Sequence, residues 1–391
     1  MSKLFIDVGS TYFKLFTKDK IEHYFRNFDT TIYDDLTSKC SDTIQKYSPK
    51  DIHICSSANG GLSTLIIGLT QSFSLKYASN IAYNSGINII DTVLYSKIED
   101  STIPSDLIDV VIVVGGIDSV KEVFDQKLID YLQKVNYSNI VYVGACSQVE
   151  FLSANIDDLV VLPNIITNKL QMNEDELKQY LTNLYNQDIV GKEDIKQLYE
   201  ITSNQIYSTP YIVNKSLPYI HTKVDVVDPY IVIDIGGATT DIHYSKDLVD
   251  DNILTQNEYD RLVFKKLGVY KSRESLVYTA KNNEFVYELL AHLNKTENIL
   301  EQKTQEATQL LMQLAIFLVL YKVSHQHNKY LNLKLNGLNS IVLTGGITKV
   351  LSQEQMEDIV TFFYKKILNY DVYPTVVVDN DYTIWTLGMN I

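Results

Sequence analysis

At 391 residues, with 45% hydrophobic and 21% charged side chains, the chain has a globular composition and enough length for two cores. Its 34 basic residues against 48 acidic ones leave a net charge of −14, which disfavours nonspecific binding to nucleic acid or to an anionic membrane. Three scattered cysteines, Cys40, Cys55 and Cys146, lack metal-ligand spacing and suit a reducing compartment, and the 28 tyrosines read as compositional bias.

The N-terminus runs straight into a strand, leaving no room for a signal peptide. Residues 3–16, KLFIDVGSTYFKLF, read as strand, turn and strand, with Asp7, Gly9, Ser10 and Thr11 at the turn; a further strand completes 1–28. A polar helix over 33–48 and a strand over 51–57 follow. In 56–70, SSANGGLSTLIIGLT, the glycines Gly60, Gly61 and Gly68 read as tight packing points more than as ligand contacts. A helix over 71–85 carries Ala78 and Ala82 on one face. Segment 109–152 is a strand–turn–helix–strand unit: DVVIVVGGIDS is a buried parallel strand ending at Gly115, Gly116 and Asp118, a helix spans 121–135, and a strand spans 139–145. A glycine turn at a strand's carboxyl end is a common ligand position, but there is no GxGxxG for a dinucleotide. Helices are predicted over 173–186 and 192–206. Pro210, Pro218 and Pro229 then mark a broken, extended connection over 208–229, which divides the chain into halves of 1–215 and 216–391.

The stretch 229–245, PYIVIDIGGATTDIHYS, repeats the opening pattern. A buried strand ends at Asp234, turns at Gly236–Gly237, passes Thr239 and Thr240, and resumes at Asp241. Taken alone it is an ordinary Gly-Gly turn or a phosphate cradle. In the second case backbone N–H groups and threonine hydroxyls hold the anion while the acids hold Mg²⁺ or its waters. The two copies suggest a duplicated fold, each half offering a hairpin to one nucleotide. Basic residues near Gly268 (Lys265, Lys266, Lys271, Arg273) read as a solvated face. From 281 to 328 helical spacing predicts one or two long helices. The most apolar part, 310–321, is interrupted by Gln313 and too short to span a bilayer. His325 and His327 point in different directions at spacing two and make no metal site. A third element, 340–347, SIVLTGGI, runs a strand into Gly345–Gly346, where backbone can approach a flat base or ribose. A helix at 352–367 and a strand at 375–379 close the chain. A cytoplasmic protein is expected.

These three stretches resemble the two phosphate motifs and the adenosine motif of the actin, sugar-kinase and DnaK-type chaperone superfamily. That resemblance implies an α/β fold of two RNase H-like (actin-like ATPase) domains closing on ATP or ADP and a divalent metal. SSANGGL at 56–62, VVGGID at 113–118, IDIGGATTDIH at 233–243, LTGGI at 343–347 and DNDYTIWTLG at 379–388 narrow it further. Together they resemble the glutamate mutase accessory family, called MutL or GlmL and unrelated to the mismatch-repair protein of that name. The resemblance implies a weak Mg²⁺-dependent ATPase that reactivates an adenosylcobalamin-dependent mutase or aminomutase by releasing its damaged cofactor.

By the same resemblance, Asp7 and Asp234 hold Mg²⁺ through water at the catalytic centre, and Asp241 contacts metal waters or orients Thr240. Gly9, Ser10 and Thr11 receive the β- and γ-phosphates from one side. Gly236, Gly237, Thr239 and Thr240 receive them from the other, and Gly345 and Gly346 line the adenosine. Lys14, following the first hairpin, could reach a phosphate but reads more safely as a strand-face lysine. Turnover is expected to be slow, with hydrolysis acting as a timer. The rival readings are an actin-like filament ATPase, a small-molecule kinase, and a nucleotide-gated module without hydrolysis. The expected partner is the mutase, with no nucleic acid and no membrane, and self-association stays open.

Overall fold

Two sheets of the same design carry the two hairpins. In the first, β1 (Leu4–Val8), β2 (Tyr12–Phe16) and β3 (Ile21–Phe25) form an antiparallel meander. Helix α1 (Ile32–Ile44) follows, capped by the Thr31 hydroxyl accepting from the Asp34 N–H. Ile32, Leu36, Cys40 and Ile44, one per turn, fix its buried face. Then β4 (Ile52–Ser56) lies parallel to β1. The computed structural model describes residues 3–18, 20–57, 62–85, 87–104, 107–119, 123–191, 196–249, 259–324 and 333–389. The Gly60–Gly61 pair and the His325/His327 pair lie outside them.

A separate five-stranded sheet interrupts the first before its last strand. Its strands are β5 (Ser63–Gly68), β6 (Asn88–Leu94), β7 (Ile108–Val114), β8 (Tyr137–Tyr142) and β9 (Val160–Val161). Helices α2 (Lys76–Asn84), α3 (Gln126–Leu132) and α4 (Val149–Asn155) connect them. The order is β6-β5-β7-β8-β9, parallel throughout. Gly68 serves packing, as expected, since a Cβ there would meet Leu75 at 2.8 Å. Gly115, read as a ligand-position turn, is also tightly packed, a Cβ there meeting Phe124 at 2.3 Å.

Helix α5 (Asp175–Gly191) leads back to β10 (Tyr207–Ser208), which pairs parallel with β4 and completes the order β10-β4-β1-β2-β3. The expected helix over 192–206 shrinks to a single turn at Gln197–Glu200 among its described residues. Thr202 Oγ1 and Asn204 Nδ2 donate instead to the Ile52 carbonyl, at 2.6 and 2.8 Å, drawing the chain onto β4. The extended connection expected over 208–229 is also corrected. It holds α6 (Thr209–Ser216) and a further helical turn at Leu217–Thr222. Pro210 falls in the first turn of α6, where its missing N–H costs nothing.

The second sheet repeats the first: β11 (Tyr230–Ile235), β12 (Thr240–Ser245) and β13 (Tyr259–Phe264) are antiparallel neighbours. Helices α7 (Arg273–Lys281), α8 (Glu284–His292) and α9 (Gln305–Ser324) precede β14 (Ser340–Gly345), which lies parallel to β11. After α10 (Gln353–Phe363), β15 (Thr375–Val378) adds the parallel edge, giving β13-β12-β11-β14-β15. This repeated order, antiparallel on one side of the central strand and parallel on the other, is the duplicated α/β fold.

The stretch 281–328 breaks without Gly or Pro, because Asn294 takes a left-handed turn at φ 54° after α8. Helix α9 is 20 residues long and by length and composition alone could cross a membrane, longer than the apolar stretch suggested. Its most apolar 18-residue window is 78% buried inside the fold, and it acts as a core helix. The final helix, α11 (Ile384–Gly388), packs against α6 so closely that a Cβ on Gly388 would stand 2.1 Å from the Ile212 carbonyl oxygen.

Candidate functional site

The β1–β2 and β11–β12 turns are copies down to single hydrogen bonds. Gly9 N–H donates to the Tyr12 carbonyl and Gly236 N–H to the Thr239 carbonyl, both at 2.9 Å. Asp7 faces Lys14 across one hairpin and Asp234 faces Asp241 at the same register position of the other. The two turns meet. A Cβ on Gly237 would lie 2.2 Å from Thr11 Oγ1 and 2.9 Å from Ser10 Oγ, so only glycine allows this approach.

A cavity of 490 Å³ opens beside the paired turns. Gly9, Ser10, Thr11, Asp234, Gly236, Gly237, Thr239, Asp241, Gly345 and Gly346 line it. Two expected residues do not. Thr240 is fully buried and its hydroxyl donates to the Leu267 carbonyl at 2.9 Å, so its side chain is turned away from the cavity. Asp7 is also fully buried, behind Lys14, whose Nζ lies 2.8 Å from Asp7 Oδ2. Thr209 Oγ1 donates to the other carboxylate oxygen of Asp7 at 2.6 Å.

Lys14, read as a strand-face residue, therefore reaches the cavity. Its ammonium neutralises Asp7 and rests over the Tyr382 ring, 3.4 Å from the centroid. Sequence reasoning missed Lys349, His23, Tyr270 and Tyr382, which also line the cavity. Lys349 follows the Gly345–Gly346 turn and His23 is the β3 partner of Lys14. Spacing from the glycine motif could have signalled the lysine, and strand register the histidine. Nothing local marks Tyr382, which reaches the cavity through a left-handed turn at φ 53° in the DNDY stretch. The same stretch has a structural use: Asp379 accepts from the Thr344 hydroxyl and from the N–H groups of Thr383 and Ile384, capping α11.

Burial pushes the Asp234 carboxyl up to about 7; Lys14 opposes this, and Asp241, Asp7 and Asp379 add to it. Asp241 is pushed up to about 6 by burial, against the pull of Arg261 and a hydrogen bond from Thr239 Oγ1 at 2.9 Å. A carboxylate pair this buried and under-neutralised is a natural seat for a cation. Two buried atoms on the cavity wall, Asp241 Oδ1 and Thr11 Oγ1, have no hydrogen-bond partner among the described residues. One accepts and the other both donates and accepts, so the wall suits a cation and an anion together. Among the described residues no three acidic, cysteine or histidine side chains converge to hold a metal directly. The residues fit Mg²⁺ that keeps most of its ligands as water and phosphate, as that ion prefers. Gly345, at φ 91°, is needed beside Asp234: a Cβ there would stand 2.5 Å from Asp234 Oδ1.

A family model described as MutL protein matches residues 3–389. A curated relative, "Protein MutL" of Clostridium tetanomorphum, is 26% identical over 268 residues, 61% of this chain and 57% of the relative. The match thus spans little more than half of that relative's length. Among solved structures, the ethanolamine utilization protein EutJ from Carboxydothermus hydrogenoformans is 12% identical with a TM-score of 0.29, covering 100% of this chain and 89% of that one. A ROK family protein from Streptococcus pneumoniae TIGR4 in complex with sucrose is 11% identical with a TM-score of 0.33, covering 100% and 97%. Likeness at these scores carries nothing about function.

Proposed function

The chain belongs to the MutL family of glutamate mutase accessory proteins, and from that premise we propose that it is a nucleotide-gated reactivating partner of an adenosylcobalamin-dependent mutase. In this reading it binds ATP with Mg²⁺ between its two hairpin turns and hydrolyses it slowly. The observation that carries the reading is the pair of copied turns meeting at the mouth of one cavity, with Asp234, Asp241 and Lys14 on its wall.

Each group has a task. The N–H groups of Ser10 and Gly237, outside the turn-closing hydrogen bonds, and the hydroxyls of Ser10 and Thr11 donate to phosphate oxygens, and Lys14 supplies positive charge. Asp234 and Asp241 accept from the metal's water ligands; the cation supplies charge neutralisation of the phosphates when bound. Gly345 and Gly346, with Val350 and Met312 beside them on the cavity wall, offer flat backbone and apolar surface to the adenosine. Asp7 acts one step back, holding Lys14 in place.

The contact between turns supplies the gate. Gly237 lies against Thr11 and Ser10, so a phosphate entering between the turns must part them and change the angle between the halves. A mutase that prefers one angle is then bound or loosened according to the nucleotide, provided ATP and ADP favour different angles. The test is to mix the protein with an adenosylcobalamin mutase inactivated by trapped damaged cofactor, then add ATP, Mg²⁺ and fresh adenosylcobalamin. Recovery of mutase activity that needs both the protein and ATP supports the reading. ATP-dependent pelleting without recovery, or phosphate transfer to a metabolite, would overturn it in favour of a filament or a kinase.

A further inference from the structure

A second cavity, of 290 Å³, lies where the helices around the inserted sheet meet β10 and β13. Its wall includes Ser85 just beyond α2, Thr182 and Tyr185 on α5, Gln205 and Ser208 at β10, and Arg261 on β13. The stacked rings of Tyr207 and Tyr211, 5.7 Å apart, close one side. Among the described residues no carboxylate lines it. Arg261 on this wall is only 2% exposed, so its charge sits in a poorly hydrated setting. A guanidinium fork ringed by hydroxyls and one amide is donor-rich and positively charged. The volume lies at the small end for ligand pockets, roughly 300 Å³ upward.

We propose that this cavity is an effector site for a compact oxyanion, a phosphate or a small dicarboxylate, and that its occupancy adjusts the cation affinity of the nucleotide cleft. The wall is wired to the cleft from both halves. Ser208 directly precedes Thr209, whose hydroxyl donates to Asp7 at 2.6 Å. Arg261 stands opposite His243 on the strand that carries Asp241, and the Arg261 and Asp241 charges act on one another. An anion that draws on the guanidinium leaves Asp241 less neutralised, and the cleft then holds Mg²⁺ more tightly. By reciprocity Mg²⁺ in the cleft tightens the anion. The site itself stands apart from the nucleotide reading; only its coupling to the cleft rests on that reading.

The experiment titrates inorganic phosphate, and separately succinate, into the nucleotide-free full chain by calorimetry. The same titrations use Thr182→Phe, which fills the cavity without touching a charge, and Arg261→Gln. A second stage measures the Mg²⁺ needed for half-maximal ATP binding with and without the anion. The expected result is binding of at least one anion, weakened tenfold or more by Thr182→Phe, and about a fivefold or larger drop in the Mg²⁺ requirement. Which anion binds identifies the source of the oxyanion. Absence of binding by both, or binding unchanged in Thr182→Phe, overturns the site. Binding without a shift in the Mg²⁺ requirement overturns the coupling. Because the first stage contains no nucleotide, a protein that fails to bind ATP still shows whether the cavity takes an anion.

Discussion

Asp234 and Asp241 stand directly opposite one another across β11 and β12, at the register position that Asp7 and Lys14 share across β1 and β2. One hairpin thus carries an ion pair and its copy carries two acids. Like charges directly opposite in a sheet are destabilising by up to about 1 kcal/mol. Asp234→Asn should therefore leave the nucleotide-free protein as stable as the wild type or slightly more so in thermal melts. The same change should weaken Mg²⁺-dependent ATP binding at least tenfold by calorimetry. A large loss of stability would mean that the pair serves the fold.

Lys14 has the opposite character. Asp7 is fully buried and Lys14 is nearly so, 13% exposed at its side chain. Removing one partner of a buried pair leaves an uncompensated charge, at a cost of about 3 kcal/mol or more. Lys14→Ala should show that loss in denaturant melts, and adding Asp7→Asn should recover part of it. ATP binding should stay weak in both, because the ammonium is absent from the cavity in each.

Gly237 is where the two hairpin turns touch. Gly237→Ala brings a methyl group into Thr11 Oγ1 at 2.2 Å, so the turns must separate. The expected cost is about 1–3 kcal/mol. Thr11→Ala should relieve much of it, and a double-mutant cycle should report a coupling of at least about 0.5 kcal/mol. Additive effects would show that the two turns do not touch in solution.

His23 makes the cleft pH-sensitive. Partial desolvation lowers its pKa from 6.5, with the ammonium groups of Lys349 and Lys14 adding to the shift. In the nucleotide-free protein the unfolded chain takes up this proton more readily, so stability is lost as pH falls below 6.5. Bound polyphosphate favours the protonated ring. Mg²⁺-dependent ATP binding also needs Asp234 and Asp241, raised to about 7 and about 6, to lose their protons, so it should weaken as pH falls from 7. Proton uptake by His23 offsets part of that loss, and His23→Asn should make the fall steeper.

The hairpins were legible because strand, turn and strand lie within about a dozen neighbouring residues, and the glycines mark where the backbone must be bare. The strand order was not, since it depends on which distant segment lies beside β1 or β11. Helix α6 was hidden by reading Pro210 as a breaker, although proline is at home in a first helical turn. Thr240 and Thr239 are adjacent in sequence, yet alternation along a strand sends one to the Leu267 carbonyl and the other to Asp241. His23 and Tyr382 are far apart in the chain, and only the folded sheets bring them to one cavity.

The most direct test of the two-turn cleft is calorimetric titration of ATP, with Mg²⁺, into the wild type and Asp234→Ala, with thermal melts to confirm that both fold. A cleft of this kind predicts binding by the wild type that depends on Mg²⁺ and is at least tenfold weaker in the variant. A wild type that does not bind ATP, or a folded variant that binds it equally well, would contradict it.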